Sequence, residues 1–501
     1  MKAPNILILM VDQLSGTFFP DGPAPWLHCP NLRALADRSV RFANAYTASP
    51  LCAPARASFM TGMLPSANRV YDNAAEFACD IPTFAHHLRR AGYHTCLAGK
   101  MHFVGAEQLH GFEERLTTDI YPVDFGWTPD YRKPDERVDG WYHNLGSVRQ
   151  AGVAQITTQL EYDDEVSWKA QRKIYDLARD QEASPWCLTV SFTHPHDPYV
   201  ARPEYWELYA SGDYPMPKVG PIAYEDQDPH SQRILDAVDW RSHSIEEEMV
   251  ARARRAYFAN ISYLDENIGR LLRLLEDTGQ EAITIFVADH GDMLGERGLW
   301  FKMSFYEGSA RVPLMIAGAN LPPGCISTPV SMVDIPSTLG ELAGISKDES
   351  IPGVVGESLL PLIEGGRRTR PVLMEYAAEA SHAPMVSIRK DRWKYNRCAL
   401  DPDQLFDLES DPCERNNLAK GDNAPAALAQ LQAMANEYWD LDRLDREVRE
   451  SQHRRRIVNE ALRKGRYHPW VYAPSDGASG RFVDSHLDLN ALEEERRFPR
   501  A

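Results

Sequence analysis

The sequence predicts an α/β protein with a large doubly wound, mainly parallel sheet and a smaller C-terminal α+β domain with a short antiparallel sheet. Three observations lead to this class. Continuous apolar runs such as 6–11 and 282–288 indicate strands that are buried on both faces of a sheet. These runs alternate with segments of helical periodicity. After residue 370 the pattern changes to short strand-like runs with little between them.

The individual elements follow from the spacing of apolar residues. In the first part of the chain we predict strands at 6–11, 94–98, 186–192 and 282–288, and helices at 31–42, 82–91 and 256–276. In the second part we predict strands at 371–377, 384–389, 392–396 and 404–408, followed by a helix at 424–441.

We therefore expect three units: a catalytic domain at 1–370, a small subdomain at 371–441 and a C-terminal arm at 442–501. The arginine-rich run at 449–456 is typical of a solvated helix face. The arm itself has apolar anchors but no clear core, so we expect it to pack on a neighbouring subunit of a homo-oligomer, a dimer or a tetramer.

Composition limits the partners. The net charge of −18 argues against nucleic acid or an anionic membrane as the main partner. The apolar run that begins at Ile6 stops at Asp12 and is too short for a secretory core, and no stretch approaches a membrane span. The eight cysteines are scattered, as in reduced intracellular proteins. We expect a cytoplasmic protein.

Asp12 and the pair Asp289-His290 each follow a predicted strand. The carboxyl ends of parallel strands meet at one edge of a sheet, so these side chains could together hold a divalent cation. Oxygen-rich ligands favour calcium, with magnesium or manganese as alternatives, over zinc, and Gln13 could add an amide oxygen. Asp12 alone could instead cap a helix, but the acidic, glycine-rich segment 289–298 favours a site.

Cys52 begins a predicted helix in the segment SPLCAPARASFMTG, residues 49–62. Pro54 suits the first turn of a helix, whose N-terminus attracts anions and lowers the pKa of a cysteine. Cys52 could be a thiolate nucleophile with His102 or His196 as its base, or simply a small buried residue. A plain thiolate, however, is a poor chemical match for a site of hard metal ligands.

Several motifs, in this order, resemble those of the sulfatase family. Residues 52–56 resemble C-x-P-x-R and are followed by the Thr-Gly pair at 61–62; residues 99–102 resemble G-K-x-H, 195–198 resemble P-H-x-P, 289–291 resemble D-H-G, and 405–419 resemble L-x-D-L-x-x-D-P-x-E-x-x-N-L. Lys302 lies downstream of the D-H-G motif. Within the family, the segments YDNAAEFACDIPT, LHGFEERLTTDIYPVDFGWTPDYRKP and MEYAAEASHAP most resemble the choline sulfatase branch.

This resemblance implies an alkaline-phosphatase-like fold and the hydrolysis of choline sulfate to choline and sulfate. It also implies that a maturation enzyme oxidises Cys52 to formylglycine, and that the metal ligands are Asp12, Cys52, Asp289 and His290. Many sulfatases carry a second aspartate next to the first metal ligand, and here that position is Gln13, which leaves the ligand count open.

The resemblance also assigns roles to further residues. Lys100 and Lys302 hold sulfate oxygens, and Arg56 orients the nucleophile. His196, or its neighbour His194, protonates the leaving alcohol, and His102 takes a proton from the second hydroxyl of the hydrated aldehyde. For the choline end we expect Trp127 and Glu379, because a quaternary ammonium is recognised by aromatic faces and carboxylates, and we expect Asn73 near the ester oxygen.

Four alternatives stay open at this point. The first is a hydrolase of phosphonate monoesters or phosphodiesters on the same fold, and the second is another alkyl or aryl sulfatase. The third is a non-catalytic binding protein, which would be expected to have lost site residues that are all present here. The fourth is a thiol-dependent enzyme in which Cys52 stays unmodified.

Overall fold

The computed structural model describes residues 3–133, 143–180, 184–318, 320–346, 351–420, 424–474 and 488–498. The strands of these residues are β1 (Asn5–Val11), β2 (Ser39–Phe42), β3 (Ala45–Tyr46), β4 (His94–Gly99), β5 (Glu114–Arg115), β6 (Gly152–Val153), β7 (Trp186–Ser191), β8 (Val200–Ala201), β9 (Ala282–Ala288), β10 (Arg311–Val312), β11 (Leu314–Ala317), β12 (Gly324–Ile326), β13 (Val330–Ser331), β14 (Val372–Tyr376), β15 (Met385–Lys390), β16 (Trp393–Cys398) and β17 (Gln404–Asp407).

The helices of the described residues are α1 (Pro30–Asp37), α2 (Cys52–Thr61), α3 (Pro65–Asn68), α4 (Phe84–Arg90), α5 (Gly146–Arg149), α6 (Thr158–Arg179), α7 (Pro203–Glu207), α8 (Pro229–Ala237), α9 (Glu247–Asp277), α10 (Glu307–Ala310), α11 (Asp334–Leu342), α12 (Leu360–Ile363), α13 (Ala426–Tyr438), α14 (Leu441–Leu462) and α15 (Leu489–Arg496). None of them combines the length and the apolar composition that crossing a membrane requires.

The large sheet has eight strands in the order β12-β2-β11-β9-β1-β7-β4-β5. β1 lies in its centre and pairs in parallel with both β7 and β9. Its side chains from Ile6 to Val11 are fully buried, which explains the continuous apolar run in the sequence. Only β11 runs antiparallel to its neighbours in this sheet. The predicted large, mainly parallel sheet is confirmed.

Helices cover the sheet in two groups. α1 and α6 both contact the long helix α9, and α2, α4 and α11 contact one another. α9 buries a stripe from Ala253 to Leu275 and begins nine residues earlier than the predicted helix at 256–276. This doubly wound arrangement leaves the carboxyl ends of the parallel strands free to carry loops.

The second sheet has the antiparallel order β14-β15-β16-β17, as predicted, and α13 packs against β15 and β16. A buried ion-pair network ties this sheet to the start of α10. Lys394 on β16 is paired with Glu307 at 2.9 Å and with Glu414 at 2.5 Å, and it donates to the Phe305 carbonyl at 2.6 Å. The domain boundaries given above stay predictions.

The helix predicted over 31–42 is wrong in its second half. α1 ends at Asp37, and Ser39–Phe42 form β2, which pairs with β11 and β12. The physical cause of the error is that both structures would bury Val40. A helix would place it on the apolar side, and a strand, as observed, points it toward the core. Periodicity over so short a run cannot separate the two.

The arginine-rich segment forms α14, which packs on its own chain. Its buried side chains are Leu444, Val448, Gln452 and Arg455, so the expected solvated face describes only the rest of this helix. The role of residues 442–501 in oligomerisation stays a prediction, and residues 475–487 and 499–501 of that arm lie outside the described residues.

Candidate active site

Four parallel strands deliver their C-terminal residues to one edge of the large sheet. Asp12 follows β1, Lys100 follows β4 and Asp289 follows β9, while the loop after β7 carries His196. All four side chains are buried, with at most 2% of each residue exposed. The expected convergence at the carboxyl ends of the strands is therefore observed.

Asp12, Cys52, Asp289 and His290 form a compact group whose ligand atoms lie within 4.8 Å of one another. The His290 Nε2 atom is 3.2 Å from the Cys52 Sγ atom and 3.7 Å from both Asp12 Oδ1 and Asp289 Oδ2. Burial and the Cys52 thiolate raise the pKa of Asp12, but Lys100, His196 and Arg56 outweigh them and lower it to about 2. This set of buried carboxylate and imidazole donors fits a divalent cation.

Cys52 is the first residue of α2, as predicted. The Asn73 Oδ1 atom accepts a hydrogen bond from the Ala53 amide at 2.9 Å and so caps one of the free N–H groups of that helix end. Burial alone would raise the pKa of the Cys52 thiol, but Lys100, Lys302 and His290 lower it well below its ordinary value. The environment therefore favours an anion at this position.

Arg56 lies one turn further along α2, fully buried, and links the strand ends. Its guanidinium donates to Asp289 Oδ2 at 2.9 Å and to Asp12 Oδ2 at 3.2 Å. It also donates to the Lys100 carbonyl at 2.6 Å and to Ser191 Oγ at 2.9 Å. Arg56 therefore fixes the two carboxylates relative to the helix that carries Cys52.

Lys302 lies opposite Lys100, and its backbone is tightly constrained. It stands between Phe301 and Met303, whose φ angles of 63° and 72° are in the left-handed region. The Lys302 ammonium donates to Gln13 Oε1 at 2.6 Å and lies 2.7 Å from His196 Nε2. Lys100 forms a short ion pair with Asp12 and lies over the Tyr121 ring.

Gln13, which was a possible metal ligand, is held in a hydrogen-bond network instead. Its Nε2 atom donates to Asp292 Oδ2 at 2.7 Å and to Asp197 Oδ1 at 3.3 Å, while its Oε1 atom accepts from Lys302. Asp292 also accepts from the Tyr199 hydroxyl at 2.8 Å. The side chain that replaces the expected second aspartate thus positions Lys302.

The structure separates the two histidines that compete for the role of general acid. The His194 Nδ1 atom lies 2.7 Å from Asp163 Oδ2 on α6, and its ring packs edge-on against Tyr263 on α9. His194 therefore faces the helical layer. His196 instead contacts Lys302 and the Tyr121 hydroxyl at the strand ends.

His102 lies beside Cys52 on the loop after β4. Its backbone has a φ of 53°, and the Met101 and His102 amides both donate to Asp119 Oδ2. Neither ring nitrogen of His102 has a partner that meets hydrogen-bond geometry among the described residues, yet the ring lies close enough to favour the Cys52 thiolate. The imidazole is therefore free to exchange a proton.

The residues expected at the choline end lie next to this group. The Trp127 ring is 6.1 Å from the His102 ring and 6.0 Å from the Tyr121 ring. Glu379 is buried, and its Oε2 atom has no hydrogen-bond partner among the described residues. Burial raises the pKa of Glu379 to about 8, with Asp72 and Cys52 adding to the effect and Lys302 opposing it. Aromatic and carboxylate groups thus meet at the same site.

Sequence reasoning missed the residues that hold this site from outside. They are Asp119, Asp163, Tyr199 and His143, whose Nδ1 atom lies 3.3 Å from Asp197 Oδ1. No motif marks them, because each acts through a contact between distant parts of the chain. A surface cleft of about 920 Å³ lies elsewhere, between α4 and α11, and none of the candidate site residues lines it.

Comparison with known proteins gives consistent findings. The family model described as Sulfatase matches residues 4–345, and that described as Choline sulfatase enzyme C terminal matches residues 446–498. The chain is 62% identical to the choline-sulfatase of Rhizobium meliloti over 99% of each chain. It is 30% identical to an arylsulfatase of Clostridium perfringens, over 83% of this chain and 90% of that one.

Solved structures show the same fold. A phosphonate monoester hydrolase from Silicibacter pomeroyi superposes with a TM-score of 0.69 at 23% identity, over 87% of this chain and 95% of that one. The corresponding hydrolase of Agrobacterium radiobacter gives a TM-score of 0.66 at 23% identity, over 89% and 96%.

Proposed function

The chain belongs to the sulfatase family, and we propose that it hydrolyses choline sulfate to choline and sulfate. One observation carries this proposal. A buried cysteine in the sulfatase motif, with two lysines close enough to favour an anion there, lies in the same site as an aromatic ring and a buried carboxyl group whose Oε2 atom has no hydrogen-bond partner among the described residues. The cysteine and the two lysines suit a sulfate group, and the carboxyl group and the aromatic ring suit a quaternary ammonium.

Two groups that the family brings would complete the site. Formylglycine made from Cys52 would supply a hydrated aldehyde, one hydroxyl of which attacks sulfur and the other of which later expels sulfate. A divalent cation held by Asp12, Asp289, His290 and residue 52 would supply positive charge that lowers the pKa of a hydroxyl and offsets the anion. We propose calcium, because two of the ligands are carboxylates.

Lys100 and Lys302 bind the sulfate oxygens in this proposal. Both ammonium groups are fully buried, where a charge acts more strongly than in water. Gln13 aims Lys302 through its Oε1 atom, and Arg56 keeps Asp12 and Asp289 in fixed positions. These residues are in place before the substrate binds, so little reorganisation is needed.

His196 delivers a proton to the ester oxygen of choline. An alkoxide is a poor leaving group, so the S–O bond breaks readily only when this oxygen is protonated as it departs. The Asp197 carboxylate lies 3.3 Å from His196 Nδ1, so contacts on this side of the ring turn Nε2 toward the site. When the sulfate group binds the Lys302 ammonium, His196 Nε2 no longer contacts that lysine and can face the leaving oxygen.

His102 acts in the second half of the reaction. It would take the proton of the second hydroxyl of the hydrated aldehyde that formylglycine supplies, and this loss of a proton would let sulfate leave and the aldehyde return. Its ring nitrogens, which lack a partner of good hydrogen-bond geometry among the described residues, suit a group that accepts a proton and returns it to solvent. Asp119 fixes the loop that aims this ring.

Trp127 and Glu379 would bind the trimethylammonium group, and Asn73, which accepts from the amide next to Cys52, would lie near the ester oxygen. A quaternary ammonium cannot donate hydrogen bonds, so an aromatic face and an unpartnered carboxylate are its natural partners. In its ionised form the buried Glu379 attracts the cation strongly, because few waters compete for the charge.

The test is a comparison of kcat/KM for choline sulfate, 4-nitrophenyl sulfate and a phosphonate monoester with the matured, metal-loaded protein. We expect choline sulfate to be preferred and free choline to inhibit. Preference for the phosphonate would overturn the proposal in favour of the phosphonate or phosphodiester hydrolase alternative. Preference for the aryl sulfate without inhibition by choline would favour another sulfatase.

The remaining expectations are proposals as well. Oxidation of Cys52 requires a maturation enzyme, and the mass of the peptide that contains residue 52 would detect its product. A homo-oligomer, a dimer or a tetramer, and a cytoplasmic location both stay predictions from the sequence.

A further inference from the structure

Helix α14 contacts each of the three loops that carry the residues proposed to bind choline. The first loop is residues 71–74, which include Asn73. The second is residues 127–132, which begin with Trp127, and the third is residues 377–382, which include Glu379. The buried stripe of α14 begins with Leu444 and Val448, which pack against Tyr71, Tyr131 and Ala377. The next two positions of the stripe are polar.

Arg455 makes the first polar link. Its guanidinium donates to Asp72 Oδ1 at 2.8 Å and to Asp72 Oδ2 at 2.6 Å, in a buried bidentate pair. The same group donates to Thr128 Oγ1 at 3.0 Å. One side chain thus fastens the residue before Asn73 to the residue after Trp127.

Gln452 and Arg449 make the second and third links through Tyr131. The Tyr131 amide donates to Gln452 Oε1 at 3.0 Å, and Arg449 donates to the Tyr131 and His382 carbonyls, each at 2.9 Å. The Tyr131 hydroxyl in turn donates to the Ala378 carbonyl at 3.0 Å. The loop that ends in Tyr131 is thereby joined to the residue before Glu379.

Arg455 also sets the charge of this region. Asp72 lies close enough to Glu379 to raise its pKa, and the bidentate pair with Arg455 compensates the charge of Asp72. Glu379, in contrast, forms no ion pair among the described residues, and its Oε2 atom has no hydrogen-bond partner there, so its carboxyl group can face a cation that enters the site. Without Arg455, Asp72 would be a second buried carboxyl with no counter-charge on α14.

We propose that Arg449, Gln452 and Arg455 are positioning residues through which α14 clamps the three loops of the cation subsite and so determines specificity for an ammonium-bearing substrate. This inference rests on the proposed function. The inference also goes beyond the proposed function. It assigns substrate selection to a helix that, among the described residues, makes no hydrogen bond to Lys100, Lys302 or Cys52.

The test compares two substrates in three variants. Choline sulfate carries the ammonium group, and 4-nitrophenyl sulfate does not. In Arg455→Met we expect kcat/KM for choline sulfate to fall about a hundredfold, mainly through KM, with a parallel loss of inhibition by choline, while 4-nitrophenyl sulfate changes by less than about threefold. Arg455→Lys keeps the charge but not the bidentate geometry and should lose about tenfold on choline sulfate.

Arg454→Met is the matched control. Arg454 is the neighbouring residue of the same helix, but its side chain is 61% exposed, and the ion pair that it forms among the described residues is with the exposed Glu450. We expect this variant to keep the natural rates on both substrates. If Arg455→Met does not fold, as judged by thermal unfolding, Gln452→Leu and Arg455→Lys carry the comparison.

Two outcomes would overturn the clamp. Equal losses of kcat/KM on both substrates would show a general structural role for α14. Unchanged turnover of choline sulfate in Arg455→Met would show that the three loops keep their positions without Arg455. Failure of the proposed function is a separate result, because the natural protein itself would then neither prefer choline sulfate nor bind choline, and the clamp proposal would fall with it.

Discussion

Replacement of Glu379 by glutamine should remove the pH dependence of choline binding. Burial raises the pKa of Glu379 to about 8. A carboxyl group with this pKa is about one tenth ionised at pH 7 and about nine tenths ionised at pH 9. A quaternary ammonium binds the carboxylate better than the neutral acid. Choline affinity of the natural protein should therefore increase about tenfold between pH 7 and pH 9, whereas that of Glu379→Gln should stay nearly constant.

The sign of this change follows from the charge that a carboxyl group gains when it loses its proton, and the raised pKa places the change between pH 7 and pH 9. Deprotonation adds a negative charge next to the ligand as the pH rises, so affinity for a cation can only increase through this group. The assay is calorimetric titration of the protein with choline at pH 7, 8 and 9. Glu364→Gln, at an exposed position remote from the site, is the matched control and should keep the tenfold change. Affinity that falls with pH, or an equal increase in Glu379→Gln, would refute the reasoning.

Three further predictions concern the chemistry. Cys52→Ala should lower turnover by about four orders of magnitude or more, while the unfolding midpoint shifts by less than about 4 °C; substantial residual turnover would contradict a nucleophile made from this residue. His196→Asn should lower kcat for choline sulfate about 10²- to 10⁴-fold but that for 4-nitrophenyl sulfate, whose leaving group needs no proton, less than tenfold. His194→Asn should leave kcat for both substrates unchanged. It should lower the free energy of unfolding by about 1–3 kcal/mol, because Asp163 loses a buried partner. The opposite pattern would assign the role of general acid to His194 instead of His196. Removal of metal by a chelator should abolish turnover, and calcium should restore it better than magnesium; the reverse order would refute the choice of calcium.

The large-scale fold could be predicted because it depends on local patterns. A strand that is buried on both faces must be apolar throughout, so β1 and β9 are evident from their side chains alone. The same reasoning places Asp12 and Asp289 at one edge, since parallel strands share their carboxyl ends. It fails for β2, because four residues after a helix carry too little pattern to show a change of period.

Much of the site could not be predicted, because its supports come from pairs of distant residues. Asp163 and His194 are 31 positions apart, and Asp72 and Arg455 are 383 apart. A charged residue on a helix is usually solvated, so a run of three arginines predicts an exposed face. Arg455 is an exception to this rule. It is buried because α14 packs against the loops, and this packing cannot be recognised in the sequence.

Gln13 shows how a departure from a motif acquires a physical meaning. Judged from the sequence, an amide in place of a second aspartate removes a negative charge and leaves the number of metal ligands open. In the structure, the amide donates to Asp292 and accepts from Lys302, two contacts that an ionised carboxylate could not make together. An aspartate here would also face Asp197 and Asp292, and like charges at that distance would raise their pKa values. Glutamine therefore lets one buried lysine stay aimed at the sulfate end without a further carboxylate beside it.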